Sequence, residues 1–166
     1  MRSGHLRSAR AVVALFLLTL ICGAPSAATA QTGDIDALVA KLPLGFVGDF
    51  QWDNDRTLQK VAIRFSSVRR LDAEHAEALG CGRYDAAGTV TSINVKMRVS
   101  LTGLEVEIWE SAPDRATFTT NGSHLGRLSD DLGAIDAEWT TRSNGQRGRL
   151  RLRAAPGAQC APADAT

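Results

Sequence analysis

Between Ile93 and Leu101 apolar and polar residues alternate without a break. Ile93, Val95, Met97, Val99 and Leu101 fall on one side, and Asn94, Lys96, Arg98 and Ser100 on the other. A period of two is that of a strand with one buried and one solvated face. Thr102-Gly103 follows as a two-residue turn, and Leu104, Val106 and Ile108 carry the apolar face back along a second strand. The turn implies a register: Leu101 opposite Leu104, Val99 opposite Val106, Met97 opposite Ile108. Arg98 then meets Glu107 and Lys96 lies across from Trp109, so apolar pairs fall inside and a charge pair outside.

A second hairpin is expected around Asn144-Gly145, since both central residues of a type I′ turn need positive φ. Counting outward, Trp139 opposes Leu150, Glu138 opposes Arg151, Ala137 opposes Leu152 and Asp136 opposes Arg153. One face is again apolar and the other charge-paired.

Further strands are expected over Phe46–Trp52, Leu58–Val68 (Val61, Ile63 and Phe65 inward), Arg83–Ala86 and Ala116–Thr120, the last leading into a polar turn at Asn121-Gly122-Ser123. The Ala- and Glu-rich segment 71–79 (LDAEHAEAL) favours a short helix closed by Gly80, and a helical turn fits within Gln31–Pro43. The pattern is that of an all-β domain, an antiparallel up-and-down meander of seven or eight strands. It closes as a small barrel or, alternatively, stacks as a β-sandwich. Residues 45–154 form this single domain after a lead-in over 31–44, and 155–166 make an irregular tail.

The Gly45-x-x-Gly48-x-Phe50-x-Trp52 opening, the consecutive hairpins and the cysteine in the tail resemble lipocalin-type (calycin) β-barrels. More narrowly, the chain is similar to small exported bacterial proteins of undetermined role. The resemblance spans roughly Gly45 to Cys160. It departs from lipocalins in being shorter and in having no helix after the last strand, and it implies a role in binding rather than catalysis.

The first thirty residues change the setting. Arg2, Arg7 and Arg10 precede an apolar run, Ala11–Ile21, then Gly23, Pro25 and the small-residue sequence Ala28-Thr29-Ala30. This is the order of a secretory signal peptide cleaved after Ala30, too short to span a membrane. The mature chain is expected to be exported, periplasmic or secreted. Its removal takes three of the 19 Lys and Arg and none of the 18 Asp and Glu, leaving a net charge of −2. Such a balance offers no global field for nucleic acid or anionic membranes. Of the three cysteines, Cys22 leaves with the signal. Cys81 and Cys160 remain, and in an oxidising compartment they are expected to pair.

Chemistry is sparse. Ser123, His124 and Asp130 or Asp131 could be imagined as a triad, but adjacent strand residues point to opposite faces. No catalytic residues are assigned. His75 beside Glu74 and Glu77 makes no metal set, and neither a metal nor another cofactor is expected. Glu105, Glu107 and Glu110 fit cross-strand pairing. A small apolar ligand inside the barrel would meet Phe65, Met97, Val99, Ile108 and Trp139. A partner protein outside would meet Trp109, Lys96, Arg149 and Arg151, the arginines belonging to a stripe that also holds Arg147 and Arg153. Asp136 and Glu138 neutralise two of its four charges.

Overall fold

The computed structural model describes residues 34–112 and 118–161. The signal segment, the start of the strand expected over Ala116–Thr120 and the last residues of the tail lie outside them.

Eight strands run in sequence: β1 (Gly45–Trp52), β2 (Gln59–Arg70), β3 (His75–Ala86), β4 (Thr89–Ser100), β5 (Glu105–Ser111), β6 (Gly122–Leu128), β7 (Ala134–Thr141) and β8 (Arg147–Ala154). Each is antiparallel to the next, and β8 pairs with β1 from Phe46↔Ala154 to Trp52↔Gly148. The result is a closed barrel, not a sandwich, with no free strand edge among these eight. It is consistent with a lipocalin-like small barrel.

Alternation places one side of each strand inside. Phe46, Ile63, Phe65, Ile93, Met97, Val99, Ile108, Leu128, Ile135, Leu150 and Leu152 are fully or almost fully buried in one continuous core. At the end where β2 gives way to β3, a helix α1 (Ile35–Lys41) packs against both strands. Asp34 caps it, its carboxylate accepting from the Asp36 N–H at 2.9 Å. Ile35, Leu38 and Leu42 join the core, and Asp36 meets Arg70 at 3.4 Å on the outside. This end of the barrel is therefore packed with apolar side chains.

The β4–β5 register is the expected one, with Met97↔Ile108, Arg98↔Glu107, Val99↔Val106 and Lys96↔Trp109 as partners. The β7–β8 register differs by two residues: Trp139 pairs with Gly148, Ala137 with Leu150 and Asp136 with Arg151. Only Gly145 takes positive φ there, so the turn is not type I′. Instead Asn144 and Thr141 bond through their side chains and both accept from the Gln146 N–H at 3.0 Å, which stabilises a four-residue loop. A shift of two preserves parity, so the faces are unchanged.

The short helix lies at 35–41 rather than 71–79. Most of the latter segment is strand, because β3 pairs with β2 on one side and β4 on the other from His75 onward. Ala76 and Ala78 are fully buried there. Tertiary pairing overrides the helical preference of Ala and Glu. Gly122 and Ser123, expected in a turn, already belong to β6.

Cys81 and Cys160 form a disulfide, Cα–Cα 5.9 Å, that fastens the tail to the outside of β3. The tail is held at two further points: the Ala155 N–H donates to Gly45 O at 2.8 Å, and Arg64 Nη1 donates to Pro156 O at 2.7 Å. Among the described residues no helix is long and apolar enough to cross a membrane.

Candidate ligand-binding site

At the end of the barrel opposite α1 the apolar filling stops. Here β1, β3, β5 and β7 end and β2, β4, β6 and β8 begin. A cavity of about 240 Å³ opens among Phe50, Trp52, Tyr84, Glu110, Phe118, His124 and Trp139, with Gln59, Thr89, Thr91 and Thr119 towards the mouth.

Phe50 is the hub of its walls. Its ring stands edge-to-face against Trp52 (4.8 Å between centroids), His124 (5.7 Å) and Tyr84 (5.9 Å). Tyr84 in turn meets Phe118 at 5.1 Å. Edge-to-face contact is the arrangement favoured by ring quadrupoles. The Phe50 ring fits because position 148 on the neighbouring strand is glycine: a Cβ there would collide with it.

Three polar side chains converge inside. Glu110 continues the inward parity of Val106 and Ile108 on β5, and it is only 7 % exposed. Its Oε1 accepts from the Tyr84 hydroxyl at 2.6 Å and lies 3.1 Å from His124 Nε2. Tyr84 Oη is 3.5 Å from the same nitrogen. A buried carboxylate without partners would be costly, and these two donors supply them. The Tyr84 phenol is pushed well above its ordinary range. Burial is the first cause, followed by the nearby Glu110 charge and by the hydrogen bond given to Glu110.

Two buried nitrogens have no partner: His124 Nδ1 and Trp139 Nε1. Their residues are direct partners across β6 and β7, with ring centroids 4.8 Å apart, and are 1 % and 2 % exposed. Buried polar atoms are ordinarily satisfied, and an unsatisfied one costs about 1–3 kcal/mol. Two on one cavity wall mark the place where the protein is incomplete by itself.

Of the residues expected to meet an internal ligand, Trp139 lines this cavity, while Phe65, Met97, Val99 and Ile108 lie in the packed core. On the outer surface Trp109 is half-buried, with Lys96 Nζ 4.5 Å and Arg98 Cζ 5.5 Å from its ring centre. Two of the four stripe arginines are paired, but they are Arg149 with Asp136 (2.6 Å) and Arg147 with Glu138 (3.4 Å), a consequence of the shifted register.

Ser123 and His124 do point to opposite faces, Asp130 binds Arg127 and Asp131 binds Ser129. His75 pairs with Asp72 rather than with the glutamates. No three His, Cys, Asp or Glu converge as a metal site among the described residues.

Sequence reasoning missed Glu110, Tyr84 and His124. Glu110 was legible, since it shares the parity of Val106 and Ile108. His124 was not: on β6 the histidine points in while Leu125 is 57 % exposed, the reverse of the usual pattern.

No protein-family model and no curated protein sequence matches the chain. Fold and site together define a closed antiparallel barrel with an aromatic cavity at one end and a buried Tyr–Glu–His cluster in its wall.

Proposed function

We propose that this chain is an exported, lipocalin-type binding protein that takes one small ligand into the open end of its barrel. The observation that carries the reading is the pair of unpartnered buried nitrogens, His124 Nδ1 and Trp139 Nε1, on the wall of a cavity. Aromatic walls with a few convergent polar groups are the ordinary make-up of a small-molecule site. The disulfide supports an oxidising compartment. The mixed lining favours a ligand with an apolar body and one polar group over a purely apolar one.

Ligand-observed NMR with a library of small aromatic fragments tests the reading. Saturable binding is expected that shifts the Trp139 indole N–H resonance and is lost in Ala86→Trp, which fills the mouth. If no fragment binds saturably, or if binding leaves the Trp139 resonance unmoved, the reading is wrong. The second criterion uses the unaltered protein, so it stands even if Ala86→Trp folds poorly.

A further inference from the structure

The cavity restricts the chemistry of its occupant, an argument that rests on the binding reading above. Glu110 offers acceptors to its neighbours, so the His124 nitrogen 3.1 Å from its Oε1 is the one that carries hydrogen. The neutral ring then keeps its lone pair at Nδ1, an acceptor. Trp139 Nε1–H can only donate. One acceptor and one donor therefore sit on neighbouring rings, both buried and both unused.

A carboxylate brings acceptors only and would enter beside the Glu110 carboxylate. An ammonium brings donors only and leaves Trp139 unsatisfied. A hydroxyl both donates and accepts. The body attached to it must lie among Phe50, Trp52, Tyr84 and Phe118, whose mutual packing is tilted or edge-to-face and suits a further flat ring. Size agrees: an apolar cavity of about 150 Å³ accepts benzene, and this one, at about 240 Å³, leaves room for one ring with its hydroxyl and small substituents. A long acyl chain or a fused four-ring body does not fit.

We infer that the ligand is a small phenol, its hydroxyl donating to His124 Nδ1 and accepting from Trp139 Nε1–H. The ring is held by the aromatic walls, and Glu110 sets the tautomer of the histidine that reads the hydroxyl. Glu110 and Tyr84 are thus positioning residues that act through His124.

Calorimetric titration of the wild-type protein with phenol, anisole, toluene and benzoate tests this. Toluene is the more hydrophobic molecule and anisole cannot donate, so a preference for phenol isolates the hydroxyl. Phenol is expected to bind about tenfold or more tighter than either, the usual effect of satisfying buried unpaired groups. Imidazole nitrogen NMR should show the His124 Nδ1 resonance move on phenol addition and not on toluene addition. His124→Phe should remove the preference while keeping a ring in place.

Toluene or anisole binding as tightly as phenol would overturn the phenolic class and leave the binding reading intact. A preference for benzoate would overturn it in favour of an anion site. Failure of all four to bind also overturns it, and the fragment library then decides separately whether the cavity binds anything. The ligand series and the nitrogen spectrum need no variant, so the inference stays testable if His124→Phe does not fold.

Discussion

Tyr84 donates its hydroxyl to Glu110 Oε1 across 2.6 Å, joining β3 to β5 through the barrel interior although the two strands are not hydrogen-bonded neighbours. The bond partly satisfies a buried carboxylate and fixes one wall of the cavity. Tyr84→Phe removes the donor and leaves the acceptor in place. We expect a loss of about 1–3 kcal/mol in urea unfolding, the range for stripping a partner from a buried polar group. A change no larger than that of an ordinary surface substitution would mean that the carboxylate does not depend on the hydroxyl.

Tyr84 is the chain's single tyrosine, so its ionisation can be followed without interference. Burial, then Glu110, hold the folded phenol well above the ordinary value of 10.0. The folded protein keeps a proton that the unfolded chain releases around that pH. Stability is therefore unaffected below it and falls as pH rises through and beyond it. A near-ultraviolet alkaline titration should show no tyrosinate until the barrel unfolds, and appearance of tyrosinate near the ordinary value in folded protein would contradict this.

The outer face gives the opposite sign. Arg149 donates two hydrogen bonds to Asp136 across β7 and β8, at 2.9 and 2.6 Å. The Arg149 hydrogen bond is the main cause that holds the Asp136 carboxyl below 3.8, with its charge and that of Arg151 adding to it. Its contribution is present above 3.8 and is lost as pH falls through the depressed value. Arg149→Ala should therefore cost a little at neutral pH, both side chains being half exposed. Denaturation curves of variant and wild type should converge in acid, and a gap that persists there would assign the effect to packing.

The Cys81–Cys160 bond closes a loop of 79 residues. Constraint of the unfolded chain by a loop this long is worth roughly 4–5 kcal/mol on the entropic model, and measured values run about 2–4 kcal/mol. The paired substitution Cys81→Ala with Cys160→Ala should lower stability within that measured range and leave the far-ultraviolet spectrum that of a β protein. Its bond lies outside the barrel, so ligand affinity at saturating stability should not move.

Much of this fold was legible because alternation is insensitive to small errors of register. The β4–β5 hairpin follows directly from its turn. In β7–β8 the Asn144 side chain bonds to Thr141 and keeps its own φ negative, which lengthens the loop and moves every pair by two, yet inside stays inside. The segment 71–79 misled because its alanines answer to two neighbouring strands rather than to local preference. Alanine is small enough there for the crowded end of the barrel, where Arg70, the partner of Ala76, reaches Asp36 of α1. The site was less legible. Its polar residues come from β3, β5 and β6, and no sequence spacing connects Tyr84, Glu110 and His124. Only the closed interior brings them within 3.5 Å of one another.

The β1–β8 seam has a consequence for how the molecule is made. Phe46 and Ala154 are paired, so the barrel's first strand must wait for its last before it can close. Non-local pairing of this kind slows folding, because the entropy of a long loop is lost before the contact is gained. Until Arg147–Ala154 arrives, β1 and β7 present unpaired N–H and C=O groups to any passing strand. A chain cut before Arg147 is then not a smaller barrel but an open sheet with two sticky edges. The final eight-residue strand is the piece on which escape from aggregation depends.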